Sequence, residues 1–202
     1  VRISGKGSKS FPEMHFMERP MQRKRKISSG FTIIELLIVV VILLIIAAMA
    51  IPNYIALKNR ALVASVKANM HSVQAATEEF NVLAGSEYPG DIDTRVGQIY
   101  PFPLDPNVAN LSLAAGVRMP PFPATALLRP HPGFKNPFSI HFQVIDNLLV
   151  PPPPVPPANI RGCVYYSSYL SDRITPSAHG QPAVSYIITG YGAKDVIQIS
   201  LP

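Results

Sequence analysis

One cysteine, Cys163, stands in 202 residues, so neither an intramolecular disulfide nor a cysteine-rich metal site can form. A lone cysteine of this kind reads as a small buried apolar residue. It says nothing of redox compartment, because an oxidising compartment allows disulfides without requiring them. Catalytic patterns are missing too. The histidines His15, His71, His131, His141 and His179 form no HxxxH pair, and there is no G-x-S-x-G elbow and no glycine-rich phosphate loop. Catalysis has no visible seat, and the chain is expected not to be an enzyme. Excess positive charge is lacking wherever a folded domain could use it. The formal charge is +6, but residues 1–30 hold eight Lys or Arg against two Glu, and the ten basic and ten acidic side chains that follow cancel. Nucleic-acid binding therefore loses its electrostatic argument. Aromatic residues between positions 31 and 84 are few, only Phe31, Tyr54 and Phe80, which removes any case for conduction along stacked rings.

What is present in excess is one apolar run. From Phe31 to Ile51 only Thr32 and Glu35 are polar. As a helix at ~1.5 Å per residue this run is roughly 31 Å long, the thickness of a bilayer's hydrocarbon core. Arg23, Lys24, Arg25 and Lys26 lie just before it, within the flank whose charge sets orientation. The N-terminus is expected to stay cytoplasmic, with everything after Pro52 facing outward. Two processing readings compete. Ala48-Met49-Ala50 fits the A-x-A site of a secretory signal peptide cut before Ile51. Against it, the run exceeds the ~7–15 residues of an ordinary signal core and contains an acid, and a helical pattern continues past the supposed cut.

Gly30 followed by Phe31-Thr32-Ile33-Ile34-Glu35-Leu36-Leu37-Ile38-Val39-Val40, closing with Ala50-Ile51-Pro52-Asn53-Tyr54, resembles the N-terminal signature of type IV pilins and type II secretion pseudopilins. The resemblance covers about 25 residues. It implies cleavage between Gly30 and Phe31 by a membrane prepilin peptidase, N-methylation of Phe31, and retention of the apolar helix. It also implies a single-pass precursor in a bacterial inner membrane, an inner-membrane assembly platform, and a homo-oligomeric helical filament outside or in the periplasm. Cleavage would create a positive amine at Phe31, and Glu35 lies four residues on, where helix neighbours meet and where the helix dipole favours an acid. In the family's filaments that carboxylate is thought to engage the amine of a neighbouring subunit. The family's mid-helix glycine is replaced by Leu44, so any local break of the helix rests on Pro52 alone. Thirty residues make a long leader; a start at Met21, or at Met17, would shorten it, and residues 1–30 are set aside from fold reasoning.

Past Pro52 the helix is expected to become amphipathic over 53–85, with Leu62, Val66, Met70, Val73, Thr77, Phe80 and Ala84 on one stripe and Gly85 as its stop. The whole helix is expected over 31–84. Sixteen of the 22 prolines fall between Pro89 and Pro157, so 86–160 is read as a connection without long helices. A short helix is expected over 111–115, and a polyproline stretch near 151–157. After Ile160 the pattern alternates: strands are expected over 163–169, 183–189 and 196–201, with a turn over 190–195. The fold class is α+β: a ladle of the pilin type, with one long N-terminal helix packed against an antiparallel sheet at 161–202. Tyr88-Pro89 and Asn136-Pro137-Phe138 resemble stretches common to pilins and pseudopilins. No cofactor is expected. Asp91 and Asp93 are weak candidates for calcium, two acids falling short of the six to eight oxygens needed. Three functions stay open: a pilus subunit, a pseudopilin that acts in protein export, and a soluble protein exported by a signal peptide.

Overall fold

The computed structural model describes residues 30–102, 104–129, 133–140, 143–147 and 157–201. The basic cluster at 23–26 and most of the polyproline stretch lie outside them. The chain divides into two compact units, Val1–Ile45 and Ile46–Pro202, and helix α1, Ile33–Leu83, supplies residues to both.

The start of α1 is written in Thr32, whose carbonyl accepts the first helical bond from Leu36 N–H at 3.3 Å. Its end is a Schellman turn. Ser86 N–H reaches the carbonyl of Asn81 at 2.9 Å while Gly85 takes φ of +71°, a conformation that a side chain resists. The ring of Tyr100 would also lie 3.0 Å from a Cβ added there. α1 runs through Pro52, as one continuous helix over 31–84 requires. Proline cannot bond to the carbonyl of Ala48, but the Asn53 amide donates to Met49 O at 3.3 Å. One missing bond is tolerated when the turns on both sides are intact and a side chain re-satisfies the neighbouring carbonyl.

From Ile33 to Ile51 every residue except Ala47 is exposed, and this helix is long and apolar enough to cross a membrane. A helix apolar on all sides calls for lipid or other helices around it. From Val66 onward one stripe is buried: Val66, Met70, Val73, Thr77, Phe80 and Ala84 as the spacing predicts, with Leu62 half-buried. Asn69 and Ala76 join that stripe unforeseen. The polar Asn69 is accommodated inside because its amide donates to Lys135 O at 3.0 Å. Two rows thus face inward, one per turn, and Tyr166, Tyr186, Ile188, Ile145 and Leu128 close the core over them.

The covering sheet has four strands in the order β2-β3-β5-β6: Ile145–Asn147, Val164–Tyr169, Ser185–Tyr191 and Val196–Leu201. β3 pairs antiparallel with β5, placing Tyr166 opposite Ile188, and β5 with β6, placing Ile188 opposite Ile199. The three C-terminal strands match their expected positions closely, although β5 extends to Tyr191, so the turn shortens. The sheet is mixed rather than purely antiparallel, because β2 lies parallel to β3 at the edge. A second pairing joins β1, Tyr88–Pro89, to β4, Pro182–Ala183. Gly190 of β5 faces α1 so closely that a Cβ would come 2.8 Å from Cγ1 of Val66. Bare backbone there lets helix and sheet touch.

The connection corrects one expectation. Residues 111–115 form no helix; Ser112 bridges to Ala126, and positive φ at Ala115 and Gly116, +50° and +80°, turns the chain away. The short helices are instead α2, Val96–Ile99, and α3, Pro106–Ala109. α3 is started by Asp105, whose carboxylate accepts from Asn107 N–H at 2.8 Å, with proline in the first turn. Asn136 clamps the sheet's approach: its amide donates to Gln143 O at 2.9 Å and Arg161 O at 2.8 Å, and its oxygen accepts from Phe138 N–H at 2.9 Å. Pro89 O accepts from the buried Tyr166 hydroxyl at 2.9 Å. Both family-like stretches are therefore structural joints.

Candidate processing and assembly site

Gly30, Phe31 and Thr32 immediately precede α1, and Glu35 lies in its first turn. Gly30 and Phe31 are exposed, Phe31 to 75%, as a bond presented to a protease or a modifying enzyme must be. Thr32 and Glu35 then form a reciprocal cap. Thr32 Oγ1 accepts from Glu35 N–H at 3.2 Å and donates to Glu35 Oε2 at 2.9 Å, while the same oxygen accepts from Thr32 N–H at 3.0 Å. This is the capping box of a Thr-x-x-Glu start, in which two backbone donors left over at a helix beginning are satisfied by side chains. Reading Glu35 by charge alone missed Thr32, although the spacing Thr32-Ile33-Ile34-Glu35 carries the signal. The box involves only atoms C-terminal to the Phe31 carbonyl, so loss of everything before Phe31 would leave it intact. Glu35 Oε1 takes part in no hydrogen bond of the box.

The cation candidates are differently placed. Asp91 Oδ1 accepts from Asp93 N–H at 3.0 Å, Thr94 N–H at 2.7 Å and Thr94 Oγ1 at 2.8 Å, and its Oδ2 faces His179 Nδ1 at 2.9 Å. Asp93 is gripped by the Arg118 fork at 3.0 and 2.7 Å and by Gly116 N–H at 2.8 Å. Among the described residues no three His, Cys, Asp or Glu side chains gather into a metal-binding group. The two carboxylates are engaged in ordering their own loop.

Burial alone would raise the Asp93 pKa, but the Arg118 hydrogen bonds, the Gly116 N–H and the guanidinium charge outweigh it and hold this carboxyl below its usual range. Arg118 also donates to Asp146 of β2 at 3.1 Å, so it ties the connection to the sheet edge. A group with a depressed folded pKa stabilises above the unfolded value, ~3.9 for aspartate, and that contribution disappears as pH falls through the folded value. Arg118→Ala is therefore expected to lower the melting temperature of the full chain in detergent most at neutral pH. The gap to the parent should close as pH drops below about 4. An equal gap at both pH values would show that Arg118 acts through packing instead.

Cys163 is buried at 2% exposure, and burial, then the nearby Asp146 charge, pushes its thiol up to about 12. It is an inert core residue.

Residues 25–51 match the family described as the prokaryotic N-terminal methylation motif. No curated protein and no solved structure gives a match to the chain.

Proposed function

We propose that this chain, a membrane-anchored prepilin-type precursor by its N-terminal methylation motif, is cut between Gly30 and Phe31, methylated on Phe31, and polymerised through α1 into a type IV pilus-like filament. The observation that carries the reading is the coincidence of that motif with a helix apolar on every side from Ile33 to Ile51, headed by a single acid. Such a surface is soluble only in lipid or among its own kind. A bundle of identical helices satisfies it once the subunit leaves the bilayer.

Within the motif the roles divide by chemistry. Gly30 leaves room for backbone to enter a protease site. Phe31 becomes the charged N-terminus, and Glu35 supplies the opposite charge, with Oε2 held by Thr32 and Oε1 open to an amine. In a greasy bundle an ion pair of this kind fixes register, because any other sliding position leaves a charge in hydrocarbon. The basic residues Arg23, Lys24, Arg25 and Lys26 hold the leader on the cytoplasmic side.

A second reading, a pseudopilin of a protein-export system, is favoured by one observation. The single, buried Cys163 denies the C-terminal region the disulfide staple that many pilins carry. Electron microscopy of sheared surface fractions separates the two. Long filaments that disappear when this gene is deleted are expected for a pilus subunit, whereas no filaments together with retained exoproteins would assign the chain to export.

A further inference from the structure

Away from α1, the segment that follows β1, the 112–116 turn and the loop around His179 enclose a cavity of about 580 Å³, within the ~300–1,000 Å³ of small-molecule sites. Its walls are fixed by bonds that span the sequence. His179 Nδ1 lies 2.9 Å from Asp91 Oδ2, Gly180 N–H donates to Thr94 Oγ1 at 3.1 Å, and Gly116 N–H donates to Asp93 at 2.8 Å. The site is thus built by the fold before any ligand arrives.

Its polar groups can be sorted into those already used and those left over. Gln98 Oε1 accepts from Arg95 N–H at 2.7 Å, which aims the Gln98 amide nitrogen at His179 Nε2, 3.4 Å away. Asp91 accepts only, so a neutral His179 carries its proton on Nδ1 and offers Nε2 as acceptor. One Gln98 N–H goes to His179, and the second has no partner among the described residues. Among the described residues the Arg95 guanidinium has one hydrogen bond, to Asn110 Oδ1 at the limiting 3.5 Å, and so keeps most of its five donors. Asn110, whose Oδ1 lies beside Arg95, and Thr125 also line the cavity and carry oxygens that can accept. Of the lining groups Asp93 is paired with Arg118 and His179 faces Asp91, which leaves Arg95 as a single cation among neutral donors and acceptors. A metal lacks three ligands.

We propose that this cavity binds a neutral, multiply hydroxylated ligand, a free hexose or the terminal sugar of a glycan. A hydroxyl donates and accepts at once, which is what planar amide and guanidinium groups set beside oxygen acceptors can satisfy. The site does not depend on how α1 is processed or assembled.

The test uses the full chain in a detergent without a sugar headgroup. Saturation-transfer NMR is recorded against glucose, galactose, mannose and N-acetylglucosamine, with glucuronate as the charged comparison, and an immobilised glycan panel distinguishes a free sugar from a chain end. At least one neutral sugar is expected to bind. Gln98→Ala and Arg95→Ala, both on exposed side chains, should each weaken that binding about tenfold, the equivalent of one lost hydrogen bond. Arg129→Ala, outside the cavity, should leave it unchanged, and Arg95→Ala and Arg129→Ala should melt like the parent. No binding of any neutral sugar in either format, binding of glucuronate alone, or binding indifferent to Gln98 and Arg95 would overturn the proposal.

Discussion

Glu35→Gln and Glu35→Ala are both expected to yield precursor that is inserted, cleaved and folded, yet absent from filaments. The pairing of the two variants matters. Glutamine serves a capping box as well as glutamate does, so Gln at this position keeps the bond to Thr32 N–H and removes only the charge. If Glu35 matters because it docks on an amine, both variants fail at assembly, and co-expressed parent subunits exclude them. If it matters only because it starts the helix, the Gln variant assembles and the Ala variant is merely weakened. Immunoblots of envelope and sheared fractions, read together with electron micrographs, report both stages. Filaments of normal length and number from the Gln variant would remove the docking role and leave Thr32 and Glu35 as a helix start alone.

Phe80→Ala is expected to produce the largest loss of stability of any single substitution on α1. Phe80 is fully buried on the last turns of the helix, within the core that Tyr166, Tyr186 and Ile188 close from the sheet. Truncating a buried phenylalanine removes its transfer free energy and leaves a cavity, about 3–5 kcal/mol in comparable cores. That is a large share of the ~5–15 kcal/mol that holds a typical domain together. The melting temperature should fall by roughly 6–20 °C, and proteolysis should attack the connection after β1 while α1 stays in the membrane fraction. A fall under about 2 °C would mean that the helix and the sheet do not share a core. Val82, exposed at 80%, provides the control: Val82→Ala should move the melting temperature by less than the error of the measurement.

What could be read from the chain follows the range over which each signal acts. The helix was legible because apolar spacing and the Gly85 stop act within a few turns, and β6 because Ile197 and Ile199 alternate with Gln198. Thr32 was legible but overlooked, since a hydroxyl three residues before a carboxylate is a capping signal whether or not the carboxylate has another task. Asp105-Pro106 likewise announced α3. The helix continues through Pro52 because proline costs a helix one bond, and whether that ends the helix depends on its neighbours. In this chain Asn53 reaches back to Met49. Strand β2 could not be seen, since three residues are too few to show a period of two, and its parallel pairing with β3 joins positions some twenty apart. The cavity was out of reach for the same reason in stronger form: His179 meets Asp91 across 88 residues, and no local pattern encodes such a meeting. The partners of Asp91 and Asp93 were equally out of reach, since Arg118 and His179 come from elsewhere in the fold.

The central claim is that the apolar helix is kept and that its first residue is made by proteolysis. The N-terminal residue and intact mass of the protein recovered from the host envelope test it most directly. A chain beginning at Phe31 and carrying one added methyl group is the expected result. A chain beginning at Ile51 would mean that the helix start was discarded as a signal peptide, and would contradict both the methylation of Phe31 and the docking role of Glu35.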